Sequence, residues 1–312
     1  VSPRIAPGNQ RRPDSYGLVD GRAIGYWEKL SLCRTLLQMR HILMLLALLT
    51  GASSALGDAP KRVASANLCA DQLALTLADP DQIVSLSPRA RDPAISFLPR
   101  RGGVFPANRG HAEDIARLSA DLVLVSPYDS GHMRALLAAR EVDFFPVAPW
   151  TSLEDGRVQI RALAARLGHP ERGEKLIGDI DAALARGRDA APPARTALAL
   201  ERRGYLPGAK SLVADVARAL GLVELSGEAA KGGEGFIGLE KLILLRPDYL
   251  IVSDIAGGVE DQGQAFLAHA ALAPSYPPQK RLDAPSRLTL CGGPSTPALI
   301  DALAAEIRAK VK

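Results

Sequence analysis

Short apolar runs that alternate with helical patterns constrain the fold of this chain more than any other feature. Four early runs are typical of buried strands, and helical spacing of apolar residues separates most of them: 63–66, 83–86, 122–125 and 144–147. Near-continuous apolar strands between helices are typical of a parallel sheet that is covered on both faces. The sequence therefore predicts an α/β fold.

A helical stretch divides the chain into two α/β parts. Between residues 152 and 187 there is almost no strand signal, and two helices are predicted there, one over 155–167 and one from Pro170 to about Arg186. The α/β pattern then resumes, with predicted strands at 196–200, 249–252 and 287–290 and predicted helices at 211–220 and 297–311. We therefore predict an N-terminal α/β lobe over 58–150, a helical connector over 151–189 and a C-terminal α/β lobe over 190–312.

An internal repeat links the two predicted lobes. The segment from Glu113 to Ser126 is similar to the segment from Glu240 to Ser253, which lies 127 residues later. Each is a short helix that leads into a buried strand, and the Glu, an Asp and a final Val-Ser match. Helix–strand joints resemble one another in general, but the matched acids favour two related, Rossmann-like lobes. Such lobes leave a ligand cleft between them, at the carboxyl ends of their strands.

Residues 39–57 have the pattern of a secretory signal peptide. Arg40 and His41 precede a continuous apolar run over 42–49, and small residues precede Asp58. The run is shorter than the roughly 20 residues that span a bilayer; its alternative is a buried core helix. Because the signal begins at residue 39, we predict that residues 1–38 are an untranslated or disordered extension. We expect an exported, periplasmic protein that starts near residue 58.

The charge balance argues against nucleic acid as a partner. Residues 1–57 hold seven Lys or Arg and three Asp or Glu, which accounts for the whole net charge of +4. The remaining residues have equal numbers of bases and acids. Phosphate binding needs a basic surplus on one face, so we expect no nucleic-acid binding.

Two cysteines, Cys69 and Cys291, remain after the predicted signal peptide. An even number suits an oxidising compartment. The sequence is equally compatible with a disulfide between them and with two separate buried thiols.

Motifs of covalent chemistry and of metal binding are missing from the sequence. There is no G-x-S-x-G elbow and no H-E-x-x-H helix. The histidines after the predicted signal peptide form no close pair: His111, His132, His169 and His269. We therefore expect no catalytic residues and no metal site, since an enzyme would need convergent titratable groups.

A basic segment follows the second predicted strand. It contains five arginines against the single acid Asp92: Arg89, Arg91, Arg100, Arg101 and Arg109. Forked guanidinium groups suit carboxylate or phosphate groups. A solvated loop accounts for most of these residues, but the segment follows the carboxyl end of a central strand. We take Arg89, Arg91 and Arg109 as ligand-binding candidates.

Three aromatic residues are further candidates for the cleft. Tyr128 and Trp150 follow strand-like runs of the first lobe, and Tyr205 has a similar place in the second. Each ring suits stacking on a flat ligand. The alternative for each is packing in the core or at the rim.

Several short motifs, in this order along the chain, resemble helical-backbone periplasmic binding proteins, the substrate-binding components of ABC importers for ferric siderophores, haem and cobalamin. The resemblance covers about residues 61–305 and rests on the segments 62–73, 90–93, 112–115, 247–248, 269–272 and 291–294. It implies two lobes bridged by one long backbone helix, with limited hinge motion. It also implies that Glu113 and Glu240, the acids of the repeat, dock onto arginines of a membrane permease through electrostatic complementarity; the alternative is a solvated helix residue.

The resemblance also suggests the ligand. It implies a monomeric receptor without an intrinsic cofactor that captures a metal chelate and presents it to an ABC permease of the inner membrane. The arginine-rich segment favours an anionic iron chelate, a ferric siderophore first, with haem and cobalamin as alternatives. Few aromatics remain for a cobalamin cleft. A disulfide between Cys69 and Cys291 would staple the lobes. The same fold would also suit a receptor for another small solute, or an exported α/β enzyme that uses the cleft.

Overall fold

The computed structural model describes residues 59–129, 131–230, 233–253, 266, 269–272 and 274–311. All of them belong to one compact unit, residues 57–312. The predicted extension over 1–38 and the predicted signal peptide over 39–57 lie outside the described residues.

The N-terminal lobe is built on a parallel sheet. Its strands are β1 (Val63–Ser65), β2 (Ile83–Ser85), β3 (Leu122–Val125) and β4 (Asp143–Pro146), in the order β2-β1-β3-β4. Its helices are α1 (Leu68–Leu77), α2 (Pro99–Gly102), α3 (Ala112–Ala116) and α4 (Gly131–Ala139), with 3₁₀ turns at Pro80–Gln82 and Pro88–Arg91. The four apolar runs are strands, as predicted, to within one residue at each end.

The C-terminal lobe has a second parallel sheet with the same plan. Its main strands are β5 (Thr196–Leu200), β7 (Val223–Glu224), β9 (Tyr249–Val252) and β10 (Arg281–Asp283), and β6 (Tyr205–Leu206) pairs antiparallel with β8 (Gly235–Phe236). The strand order is β10-β9-β5-β7. As in the first sheet, the second main strand along the chain lies at one edge, and the first, third and fourth follow it across the sheet. The helices are α7 (Leu212–Ala219), α8 (Ser226–Ala229), α9 (Leu239–Leu245), α10 (Ser286–Thr289) and α11 (Thr296–Lys310), with 3₁₀ turns at Arg202–Gly204 and Pro278–Lys280.

One predicted strand is wrong. Residues 287–290 form most of the short helix α10 and its end, while the strand of this region is β10. Pro285 precedes the helix, and its carbonyl accepts a hydrogen bond from the Leu288 amide. A short apolar run does not distinguish a strand from a helical turn, because both bury one or two side chains.

The connector consists of two helices, α5 (Leu153–Leu167) and α6 (Pro170–Gly187). The Ser152 hydroxyl accepts from the Asp155 amide at the start of α5, and Gly168, with a φ of 87°, ends it. The longer helix α6 has 18 residues, about 27 Å. One buried apolar cluster runs through α1, α5, α6, α7 and α11, so both lobes share a core with the connector.

The repeated aspartate ties two strands together in each lobe. Asp121, just before β3, accepts hydrogen bonds from the amides of Lys61 (2.8 Å) and Arg62 (3.0 Å), at the start of β1. Asp248, just before β9, accepts from the amide and the hydroxyl of Thr196 at the start of β5, both at 2.9 Å. The match in sequence therefore has a shared structural cause.

A second repeat becomes visible only in the structure. Helix α1 begins Leu-Cys-Ala-Asp and α7 begins Leu-Val-Ala-Asp; α1 comes after β1, and α7 comes after β5 and the short strand β6. Asn67 and Ser211 cap the two helices with side-chain oxygens that accept from backbone amides. The equivalent aspartates are Asp71 and Asp215.

Among the residues that the structure describes, no helix combines the length and the hydropathy needed to cross a bilayer.

Candidate functional site

Two adjoining cavities lie where strands of both sheets end. One, of about 590 Å³, is lined by residues that follow β3, β4 and β5, including Tyr128, Trp150 and Glu201. The other, of about 740 Å³, is lined mainly by residues of the N-terminal lobe, including Asn67 and Arg89. This is the position at which open α/β sheets bind ligands, because loops from several strands converge there.

A disulfide lies between the two cavities and lines both. The structure joins Cys69, in the first turn of α1, to Cys291, just after α10, across 222 residues of chain. The bond therefore connects the N-terminal lobe to the segment that leads into α11. The sequence left this pairing open.

Two tyrosines line the first cavity, one from each lobe. Tyr128 follows β3 and is 81% exposed, while Tyr205 is half-buried in β6. The Tyr205 hydroxyl donates to Glu234 Oε2 at 2.7 Å, and its ring meets Phe236 edge to face at 5.5 Å. Burial and the carboxylate of Glu234 raise the pKa of Tyr205 to about 12, so the hydroxyl stays protonated at neutral pH.

Trp150 is a fixed part of the cavity wall. Only 5% of it is exposed, and the ring is held between Gly156 and Gly292, where any added Cβ would clash with it. Its Nε1 donates to Gln159 Oε1 at 3.2 Å, and Gln159 donates to the Ala148 carbonyl at 3.0 Å. These contacts give the indole a packing role; a role in stacking on a ligand stays a prediction.

The three candidate arginines point in different directions. Arg89 and Arg109 line the N-terminal cavity. Arg91 instead donates to the Phe105 carbonyl at 2.8 Å and lines neither cavity. Two of the three are therefore placed to meet a ligand, and Arg91 is tied to a neighbouring loop.

The wall that the C-terminal lobe contributes is acidic, which the sequence did not predict. Glu201, Glu234 and Lys210 line the first cavity beside Tyr205. Glu201 directly follows β5, so the rule that strand ends form the cleft would have found it. Burial raises the pKa of Glu201.

A buried carboxylate supports the loop that carries Arg89. Asp71 is fully buried and accepts hydrogen bonds from the amide and the hydroxyl of Ser87, just after β2. Burial raises the pKa of Asp71 to about 6, and the bonds from Ser87 partly oppose the shift. Its counterpart Asp215 differs, because it accepts from the Leu153 amide at the start of α5, at 2.8 Å.

The two glutamates of the repeat occupy equivalent places. Glu113 lies in the first turn of α3 and Glu240 in the first turn of α9, and both are exposed. His132 Nε2 lies 3.1 Å from Glu113 Oε1. A hydrogen bond from its own amide and the one from His132 hold the pKa of Glu113 below its usual range.

No cluster of three or more His, Cys, Asp or Glu side chains that would hold a metal ion occurs within the described ranges.

A family model described as periplasmic binding protein matches residues 63–275. The chain belongs to that family. This membership confirms the resemblance drawn from the motifs and the two-lobe α/β fold that it implied. No curated protein sequence matches the chain significantly.

Solved structures of periplasmic binding proteins share the fold. The periplasmic heme-binding protein RhuT from Roseiflexus sp. RS-1, in apo form, has a TM-score of 0.66 at 23% identity, over 81% of this chain and 99% of its own. A periplasmic heme-binding protein from Pseudomonas aeruginosa has 0.65 at 20%, over 81% and 94%. The periplasmic vitamin B12 binding protein BtuF of Vibrio cholerae has 0.61 at 17%, over 80% and 97%.

Proposed function

We propose that this protein is a periplasmic receptor that captures an iron chelate between its lobes and delivers it to an ABC importer of the inner membrane. The observation that carries the proposal is the cleft itself, to which Tyr128 and Tyr205 contribute from opposite lobes. Membership of the periplasmic binding protein family supports it. So do the fold relatives, which bind heme or vitamin B12.

The charge of the N-terminal wall favours an anionic ligand. Arg89 and Arg109 are exposed on the cavity and suit the carboxylates or phenolates of a chelate. Haem carries carboxylates, and ferric catecholates carry phenolate oxygens. The exposed Tyr128 fits the same ligands, since phenol oxygens hold iron in some haem proteins, whereas the Tyr205 hydroxyl keeps its proton and donates a hydrogen bond to Glu234. Cobalamin has less support, because the aromatic residues that line the first cavity, among those that the structure describes, are Tyr128, Tyr205 and Trp150.

A panel titration tests the proposal. The purified protein would be titrated by calorimetry and visible absorption with haemin, ferric hydroxamates, ferric catecholates and cobalamin. We expect saturable one-to-one binding of one class, without chemical change of the ligand. The variant Arg89→Ala/Arg109→Ala should weaken binding of an anionic chelate about tenfold or more, because charge-assisted hydrogen bonds are lost. Arg91→Ala is the matched control and should bind normally.

Two outcomes of the panel would contradict the proposal. Failure to bind any of the chelates would remove the iron-chelate function and leave a receptor for another solute. Turnover of a bound compound would instead make the protein an enzyme of the same fold.

We further propose that Glu113 and Glu240 dock the loaded receptor on basic residues of the permease. Both carboxylates are exposed and hold equivalent places on the two lobes. Glu113→Ala/Glu240→Ala should abolish uptake of the chelate by cells that make the receptor with its permease, while binding to the purified variant stays normal. Normal uptake by the double variant would contradict this role.

Export is tested separately. Fractionation of producing cells should place the protein in the periplasm, and amino-terminal sequencing should give a start near Asp58. A cytoplasmic protein that still contains residues 39–57 would contradict it.

A further inference from the structure

Glu201 is the polar group of the cleft that the proposed function leaves unexplained. It directly follows β5 and lines the cavity of about 590 Å³. It is half-buried, and its carboxylate makes no hydrogen bond or ion pair with any residue that the structure describes. A carboxyl group that is partly buried in a cleft without a partner is a candidate for ligand contact.

The neighbours of Glu201 do not neutralise it. The titratable groups that line the same cavity are Tyr205, Glu234 and Lys210, with Tyr128 on the opposite lobe. The hydroxyl of Tyr205 is donated to Glu234. Lys210 is exposed and forms no ion pair with Glu201. The carboxylate of Glu201 therefore has room for a donor that the protein itself does not supply.

The two walls of the cleft carry opposite charge. Arg89 and Arg109 line the cavity on the N-terminal lobe, and Glu201 and Glu234 line the one that the C-terminal lobe closes. A ligand that touches both walls meets hydrogen-bond donors at one end and acceptors at the other. Such a cleft discriminates between ligands, because a ligand that lacks the matching groups leaves charged groups of the protein buried and unpaired. The loss of binding free energy is then larger than that of one missing contact.

We propose that Glu201 is a specificity-determining residue that accepts a hydrogen bond from a cationic arm of the chelate, while Arg89 and Arg109 donate hydrogen bonds to oxygen atoms at its metal-binding end. The substrate class is then a metal chelate with hydrogen-bond acceptors at its metal-binding end and a cationic arm at the other, such as an iron complex that carries a free ammonium group. This inference rests on the proposed function and adds the chemistry of the ligand to it.

Three forms of one iron complex test the inference. Ferrioxamine B, a linear ferric trihydroxamate, ends in an ammonium group; its N-acetyl derivative ends in a neutral amide, and its N-succinyl derivative in a carboxylate. We expect the wild-type protein to bind them in that order, with a span of about tenfold or more between the first and the last. The iron centre is the same in all three, so the span reports the arm alone.

The variant Glu201→Gln keeps the shape of the side chain and removes its charge. It should lose about tenfold in affinity for the ammonium form and little for the acetylated form, so that the preference disappears. Glu228→Gln is the matched control: Glu228 is exposed on α8, away from the cavities, and its replacement should leave all three affinities unchanged.

The pH profile gives a second measurement. Burial raises the pKa of Glu201, so its carboxyl group gains the charge above the usual range for glutamate. Affinity for the ammonium form should therefore rise with pH above the usual pKa of glutamate, as the carboxyl group loses its proton. In Glu201→Gln this dependence of affinity on pH should be weaker. Tyr205, with a pKa of about 12, does not titrate there.

Each contrary result has a distinct meaning. Equal binding of the three forms by the wild type, or an equal loss of all three in Glu201→Gln, overturns the inference. So does binding of haemin without binding of any ferrioxamine form, which leaves the proposed function intact. Failure to bind any chelate overturns the proposed function itself.

Discussion

The two lobes are variants of one plan that differ where they face the ligand. Both have the same strand order, both tie their first strand to the aspartate before the third, and both begin their first helix with Leu-x-Ala-Asp. Their cleft walls differ, since Arg89 and Arg109 lie on one side and Glu201 and Glu234 on the other. The scaffold is therefore shared, whereas the ligand contacts are particular to each lobe.

The equivalent helices α1 and α7 show how this difference arises. Position two of the shared motif is Cys69 in α1, where it forms the disulfide, and Val213 in α7, where it is buried in the core. Position four is Asp71 in α1, buried under the loop after β2, and Asp215 in α7, which holds the start of α5. The same tetrapeptide thus supports the cleft in one lobe and the connector in the other.

Removal of the disulfide should have the largest effect on stability. Cys69→Ser/Cys291→Ser frees a loop of more than 200 residues and should lower the free energy of unfolding by about 3 to 5 kcal/mol. Urea denaturation measures it. Reductant should destabilise the wild type by a similar amount and leave the double variant unchanged; equal stability of the oxidised and reduced wild type would contradict the linkage of the lobes.

The two equivalent aspartates should respond differently to pH. The folded pKa of Asp71 is raised from 3.8 to about 6, so the folded state binds the proton more tightly than the unfolded state. Stability should therefore fall as pH rises from about 4 to about 6, by up to about 3 kcal/mol. Asp71→Asn should flatten this dependence, and Asp215→Asn should retain it. Parallel curves for wild type and Asp71→Asn would contradict the burial of this acid.

The Trp150 ring, from the N-terminal lobe, packs against Gly292 of the C-terminal lobe. Gly292→Ala places a methyl group against the indole ring and should cost about 1 to 3 kcal/mol of stability through overpacking. The control Gly178→Ala, in α6, has open space around its Cβ and should stabilise the protein by about 0.5 to 1 kcal/mol. Thermal unfolding measures both; a neutral Gly292→Ala would show that the ring moves freely.

Removal of the hydrogen bonds that Asp121 and Asp248 accept should have the smallest effect on stability, and a similar effect in each lobe. Asp121→Ala and Asp248→Ala each remove two hydrogen bonds at the start of a first strand. We expect a loss of about 1 kcal/mol from each, measured by urea denaturation, because these bonds lie near the surface. A loss of stability in only one of the two variants would mean that the repeated aspartate does not have the same structural role in both lobes.

Most of the scaffold could be predicted from the sequence, because its strands are buried runs. The strands at 122–125, 196–200 and 249–252 agree with the sequence to the residue. Strand β10 could not be predicted, since Leu282 is its one fully buried residue and the more apolar run after it is a helix.

The cleft was only partly predictable, because side-chain direction depends on distant neighbours. Arg91 bonds the Phe105 carbonyl, and Trp150 is fixed by Gly292 from the far end of the chain. The place of Glu201 directly after a strand could have marked it as a cleft residue, whereas the partial burial of its carboxyl group without a partner is visible only in the structure. Order along the chain predicted which residues come near the cleft, and packing decides which of them face it.

A crystal structure with the tightest-binding iron chelate tests most directly whether the ligand binds between the two lobes. We expect the chelate between Tyr128 and Tyr205, in contact with both lobes, with its anionic groups toward Arg89 and Arg109. A chelate bound to one lobe alone, or on the outer surface of the protein, would contradict this expectation.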